Sequence, residues 1–455
     1  LPKERAGGFT SCFDPDSAAL RAIEKGDRRK ETDTFPSAAL ADDVRDLQAA
    51  MQKRYAGYPE LAQDTAWDVD RYFADWEAAV RAAGPTVTFE DGILRPFVGL
   101  RVEHRDNHLM PWGYGLRLTQ RPELVLSEYQ VRRAFEPKAL AACTFGEHPP
   151  LPGTLRVSRE LGPHGVVDVA VLTARGTADV IDATCGSETV RFERRPAASF
   201  PRNKDAPVYE WHTTADAAVV IVRHLDGSPA ERARLEQIAT DYDGHRAKKT
   251  IVFDFRGNGG GNDGYIYAWI AKAVRGTWPA PYAEVKVTGA ELPCGEWNNL
   301  VLRQIDADVV DTPAAKNERD AALQASLASL KGAPVQQVDM APATTTAAHP
   351  YTGRVFAVVD RTSASSGESG PEMLHAAIGA TIVGERSAGF MEFGNIRPWI
   401  MPRTGIGWWM ASKRNYYEAP HEAVGLPVDV YLAPELLGKP ADELVKVLEG
   451  MRRGK

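Results

Sequence analysis

Between about residues 15 and 95 apolar residues recur at three- and four-residue intervals among charges. The stretches "SAALADDVRDLQAAMQKRYAGY" and "DVDRYFADWEAAVRAA" carry this spacing and predict an N-terminal helical region. Around "GPTVTF" and "LRVEHRDNHL" the period changes. Short alternating runs such as "TLRVSREL", "VVDVAVLTA" and "ETVRFERR" follow, with Gly, Pro and Asp between them, and predict a β-rich middle. The polar, two-proline segment "AASFPRNKDAP" (197–207) reads as a linker and puts a boundary near 205. Beyond it short apolar strands ("AAVVIVRHL", "KKTIVFDF", "RVFAVVD", "ATIVG") alternate with helical patterns ("SPAERARLEQIATDY", "GYIYAWIAKAVRG", "GPEMLHAAIGA"), the sign of an α/β layer on a mainly parallel, buried sheet. Residues 285–350 break the alternation and read as an insertion with one helix-like stretch, "AAKNERDAALQASLASLKG". The division is therefore 1–100 helical, 101–205 β-rich and 206–455 core.

A chain of 455 residues is expected to form about two to three domains. Hydrophobic residues at 44% and charged residues at 25% indicate neither disorder nor a fibrous repeat. The longest apolar runs, such as "AAVVIV" (217–222), fall far short of the roughly 18 residues of a membrane-spanning helix, so no span is expected. A formal net charge of −7, with scattered Lys and Arg, argues against a nucleic-acid partner. Cys12, Cys143, Cys185 and Cys294 lack the spacing of a zinc site. One disulfide, Cys143 with Cys185, would fit an exported protein whose signal is absent from a chain starting at Leu1.

Two loops carry candidate chemistry. "TIVFDFRGNGGGND" (250–263) is a buried strand running into glycines, whose backbone N–H groups suit an anion or a developing oxyanion; a plain tight turn is the competing reading. A phosphate site is disfavoured because no GK[ST] follows. "RTSASSGESG" (361–370) joins a strand to a helix, where a serine hydroxyl lies at the helix's positive end. Such a serine suits a nucleophile, or simply caps the helix.

With "ATIVGERSAG" and "GLPVDVYL" following "DFRGNGGG" and "TSASSGE", residues 206–450 resemble the core of the C-terminal processing peptidases and their tricorn-type relatives. The resemblance implies a ClpP/crotonase-like fold and a serine peptidase with Ser365 as nucleophile, three residues before Glu368. The serine–lysine branch would carry its lysine where this chain has Phe390, so a histidine base held by a glutamate is implied instead. It places the base at His224, or, with a register one residue off, leaves Arg223 in that place. It places the orienting acid at Glu422, with Glu418 and His421 as rivals. The oxyanion hole would combine Gly259 or Gly260 with Ser366. Asp106 and His108 fit the close of a cap region and read as structural, and no carboxylate-binding glycine loop of a PDZ module is evident.

The aromatic run 397–420 suggests a cleft for apolar groups, with Trp408 and Trp409 as substrate contacts and core packing as the rival role. No metal or organic cofactor is implied. The expected partner is a peptide or protein substrate. Two alternatives keep the fold: an esterase or amidase acting on a small substrate, and a non-catalytic ligand carrier.

Overall fold

The computed structural model describes residues 29–63, 67–112, 121, 124–196, 206–287, 335–338, 342–417 and 419–451. The helix-like stretch of the 285–350 insertion, most of the linker and Glu418 lie outside these residues. The chain packs as two units, each made of non-contiguous segments: residues 1–120, 284–339 and 393–416 form one, and 121–283, 340–392 and 417–455 form the other.

The second unit holds a mixed sheet of eleven strands. In chain order these are β1 (Leu126–Val131), β2 (Arg156–Gly162), β3 (Gly165–Arg175), β4 (Val180–Cys185), β5 (Glu188–Arg194), β6 (Tyr209–Thr213), β7 (Ala217–Val222), β8 (Thr250–Asp254), β9 (Arg354–Val359), β10 (Thr381–Gly384) and β11 (Val430–Leu432). Their spatial order is β4-β5-β1-β3-β2-β11-β10-β9-β8-β7-β6. The run from β2 to β7 is parallel, and antiparallel strands flank it on both sides. The β-rich middle of the sequence therefore continues the core sheet through the β2–β11 pair.

Strands β7 and β8 are buried along their whole length, because both faces of a parallel sheet are covered. Alternate residues divide between the faces. Ala218, Val220, Phe253 and Ala357 pack with Trp269 and Ile270 of α1 (Gly264–Ala273) and Leu374 of α2 (Ser366–Ile378). Val219, Val252 and Val358 pack with Leu444, Val445 and Leu448 of α3 (Ala441–Gly450). The antiparallel extension has its own core around Tyr129, Leu172 and Phe192, and Cys143 and Cys185 are joined there as a disulfide.

The first unit is helical at its start, as the periodicity predicts. Ser37–Arg54 buries Leu40, Val44, Leu47 and Met51 on one face, and Val69–Ala82 buries Phe73, Trp76 and Val80. A further helix, Arg95–Glu103, carries the helical region into the stretch where the period changes. An antiparallel hairpin, Phe393–Ile400 with Gly407–Tyr416, completes the unit. It is tied to the first helix by buried Asp43, which accepts from Arg403 N–H (3.1 Å) and from Thr404 N–H and Oγ1 (both 2.7 Å). Among the described residues no helix is long and apolar enough to cross a membrane.

Candidate active site

Strands β7, β8 and β9 end side by side, and the loops that follow them build the site. After β8, Arg256 folds back on Asp254, Nε to Oδ1 at 2.9 Å and Nη2 to Oδ2 at 2.5 Å, and donates Nη1 to the Lys439 carbonyl at 2.7 Å. This buried, fully hydrogen-bonded pair fixes where the glycines begin. Asn258, wholly buried, then links three segments. Its amide donates to the Val222 carbonyl at the end of β7 (2.9 Å), its Oδ1 accepts from Gly260 N–H (2.8 Å), and its carbonyl accepts from Ala364 N–H (2.8 Å) in the serine loop.

Ser365 stands at the head of α2 with φ 54° and ψ −120°, a conformation that costs a non-glycine residue about 1–3 kcal/mol and persists only where its surroundings impose it. The glycine loop presses on it: a Cβ at Gly260, whose φ is +109°, would lie 2.8 Å from Ser365 Cβ and 3.3 Å from its Oγ. The helix itself approaches closely because Gly367 has no side chain; a Cβ there would sit 2.5 Å from the Asn258 carbonyl oxygen. Ser366 Oγ donates to the Gly261 carbonyl (2.8 Å) and Ser369 Oγ to Asp263 (2.5 Å), so the two loops are bound into one body.

The two candidate glycines differ in what their backbone does. Gly260 N–H is committed to Asn258, whereas among the described residues Gly259 N–H and Ser366 N–H meet no acceptor.

His224 follows β7 beside this loop, its neighbour Leu225 exchanging backbone hydrogen bonds with Gly260 (2.9 Å) and Asn262 (2.7 Å). Arg223 turns the other way, to Glu210 and the Pro207 carbonyl (2.8 Å), so the alternation leaves His224 rather than Arg223 off that edge. The His224 ring donates Nδ1–H to the Asp226 carbonyl at 2.5 Å, which leaves Nε2 as the acceptor nitrogen. No hydrogen bond joins His224 to Ser365 or to Glu422 among the described residues.

Glu422 is buried, and its Oε2 accepts from the N–H groups of Met391 (3.0 Å) and Glu392 (2.9 Å). Glu392 answers by accepting from the N–H groups of His421 (2.7 Å) and Glu422 (3.1 Å). The two carboxylates thus clasp the segments around 391 and 421 together.

His421, the rival of Glu422, lies with Nε2 3.7 Å from Glu372 Oε1 on α2. Burial pushes His421 down to about 4. Burial, with the charge of Glu368 added, pushes the Glu372 carboxyl up to about 8, so neither partner is ionised at neutral pH. A carboxyl whose pKa is raised on folding contributes stability that is fully present below its unfolded value and is lost as pH rises through the folded one. Glu372→Gln is therefore expected to leave Tm nearly unchanged at pH 5 and to raise it at pH 9. The shift from 4.5 corresponds to a few kcal/mol, at about 1.4 kcal/mol per pH unit. Melting curves across that range check this, and parallel curves for the two proteins would refute it.

Trp408 corrects the cleft reading. It is 0% exposed and meets Phe97 edge-on, ring centroids 5.1 Å apart, within the first unit, so it packs a core and faces no substrate. Trp409 is half-buried against Trp112. In the same unit Asp106 and His108 are buried, with Asp106 Oδ1 accepting from His108 N–H at 2.6 Å.

Residues 219–406 match the model of peptidase family S41. The match spans the glycine loop and the serine loop, the two segments that meet at Ser365. The match supports a serine peptidase. Among solved structures, mature CPAF complexed with lactacystin is 12% identical, covering 90% of this chain and 97% of that one at a TM-score of 0.48. The photosystem II D1 C-terminal processing protease is also 12% identical, with 90% and 97% covered and a TM-score of 0.40. The tricorn protease is 16% identical over 51% of this chain and 17% of that one, at 0.25. Among curated proteins no sequence matches.

Proposed function

We propose that this chain is a peptidase of family S41 that cleaves peptide bonds through an acyl-enzyme on Ser365. The observation that carries the reading is the Ser365 elbow, a strained serine at a helix head with two uncommitted backbone donors, Gly259 and Ser366, in the segments that meet there. Ser365 Oγ attacks the scissile carbonyl carbon, and its proton passes to a histidine. The carbonyl oxygen gains the charge that the two N–H groups receive. Collapse of the adduct breaks the C–N bond, the amine takes the proton from the imidazolium, and water then releases the acyl group by the same route.

We assign the base to His224, whose acceptor nitrogen is set by the Asp226 carbonyl. Glu422 is the acid of the triad in this reading, and what supports it is its burial and place in the "HEAVGLPVD" motif. The disulfide supports an exported protein.

The test is kcat on a fluorogenic peptide for His104, His108, His224 and His421, each replaced singly by Ala, and for Glu422→Gln. His224→Ala is expected to lower kcat by about 10²- to 10⁴-fold, and Glu422→Gln by about tenfold or more with folding intact. A loss confined to another histidine would overturn the assignment of the base while leaving Ser365 in place. Unchanged turnover in Glu422→Gln would remove that residue from the mechanism.

A further inference from the structure

Glu368 is wholly buried on the first turn of α2, and its two oxygens hold two separate segments. Oε2 accepts from Ser365 N–H and from Phe390 N–H, both at 2.8 Å. Oε1 accepts from Gly389 N–H at 2.8 Å and from Ser387 Oγ. The Ser365 carbonyl in turn accepts from the N–H groups of Glu368 (2.8 Å) and Ser369 (3.0 Å). Four donors to one carboxylate are more than capping a helix needs, since the glutamate of a capping box accepts from a single backbone N–H. Three of the four come from residues 387–390.

We propose that Glu368 is a positioning residue for catalysis: its carboxylate fixes the backbone of Ser365 in its positive-φ conformation and locks that elbow to the 387–390 segment. This rests on Ser365 being the nucleophile. Chain geometry links the two functions of the carboxylate. Oε2 is shared between the elbow and Phe390, so a displacement of the 387–390 segment is passed to Ser365 N–H through one atom. Ser387 extends the link, because its Oγ donates to Glu368 and accepts from Leu426 N–H at 2.6 Å. The nucleophile is thereby referenced to the segment that leads into β11. Gln cannot replace Glu here: a single carbonyl oxygen serves one pair of donors and the amide N–H₂ confronts the other pair.

Glu368→Gln is the test, with kcat and KM measured on a fluorogenic peptide, the rate of phosphonylation by a fluorophosphonate followed by mass spectrometry, and Tm recorded alongside. The expected result is a fall in kcat and in phosphonylation rate of about 10- to 100-fold, with KM within about threefold, in protein that remains folded. Natural rates in a folded variant, even one of lowered Tm, would reduce Glu368 to a purely structural part and overturn the proposal. If Glu368→Gln does not fold, Ser387→Ala removes one of the four donors; a fall in kcat of about threefold or more is then expected, and an unchanged kcat overturns the proposal. The natural protein serves as the separate control: absence of phosphonate at Ser365 there would sink the nucleophile assignment itself, whatever the Glu368 variant does.

Discussion

Ser365→Ala is expected to abolish fluorophosphonate labelling and to lower turnover by about 10⁴- to 10⁶-fold, the loss typical when the nucleophile of a serine hydrolase is removed. The fold should survive, because the side chain lost is small and the hydrogen bonds at this position are made by the Ser365 backbone and the Glu368 carboxylate. Alanine keeps a Cβ at φ 54° and so keeps the strain. Ser365→Gly relieves it and should be more stable than Ser365→Ala by about 1 kcal/mol. Mapping the labelled peptide in the natural protein and melting both variants checks the two halves of this expectation. Label retained in Ser365→Ala would mean that another serine is activated, and equal melting temperatures would mean that the elbow stores no strain.

Gly260→Ala should be nearly as damaging although it removes no reacting atom. Its φ of +109° is closed to alanine, and the added methyl would meet Ser365 Cβ at 2.8 Å and the Ala364 carbonyl at 3.0 Å. The glycine loop and the serine loop must separate to admit it, which shifts both the nucleophile and the neighbouring Gly259 donor. A displacement approaching 1 Å at a reacting group costs about 10²-fold in rate, and stability should fall by about 2–4 kcal/mol from strain and overpacking together. Single-turnover kinetics with a urea titration separates these effects. Normal kcat in this variant would show that the contact between the loops is not part of the site. The same substitution at Gly259, where nothing lies within 4 Å of the added carbon, should be far milder.

The parts of the fold legible in the sequence were those with a strong period. Ser37–Arg54 and Val69–Ala82 announced themselves by apolar spacing, and β7 and β8 by unbroken apolar runs. The helix at Arg95–Glu103 did not, because it is only nine residues long and enters through Pro96, so the packing of Phe97 and Leu100 rather than any repeat defines it. The pattern at 228–242 read as one helix, and the chain divides it into the three short pieces Pro229–Leu235, Gln237–Thr240 and Tyr242–His245. At the site, the serine and glycine loops were visible as motifs. Which glycine N–H is uncommitted was not, since that depends on Asn258 turning its amide back on Gly260. Glu368 served in the sequence only as a marker for Ser365, because three of its donors lie some twenty residues downstream and no local pattern connects them. Trp408 failed as a substrate contact for a related reason: aromatic content counts rings but does not say which face of a strand each occupies.

The order of strands in the large sheet bears on when this enzyme comes into being. β11, at residues 430–432, lies between β10 and β2, so it is the strand that joins the parallel core to the antiparallel extension. The direct partners of the Ser365 elbow precede that strand in the chain, yet the two halves of the sheet have no seam until it is in place. The sheet is thereby closed by a strand that follows both loops of the site in the chain, so the joining of its two halves waits on residues 430–432.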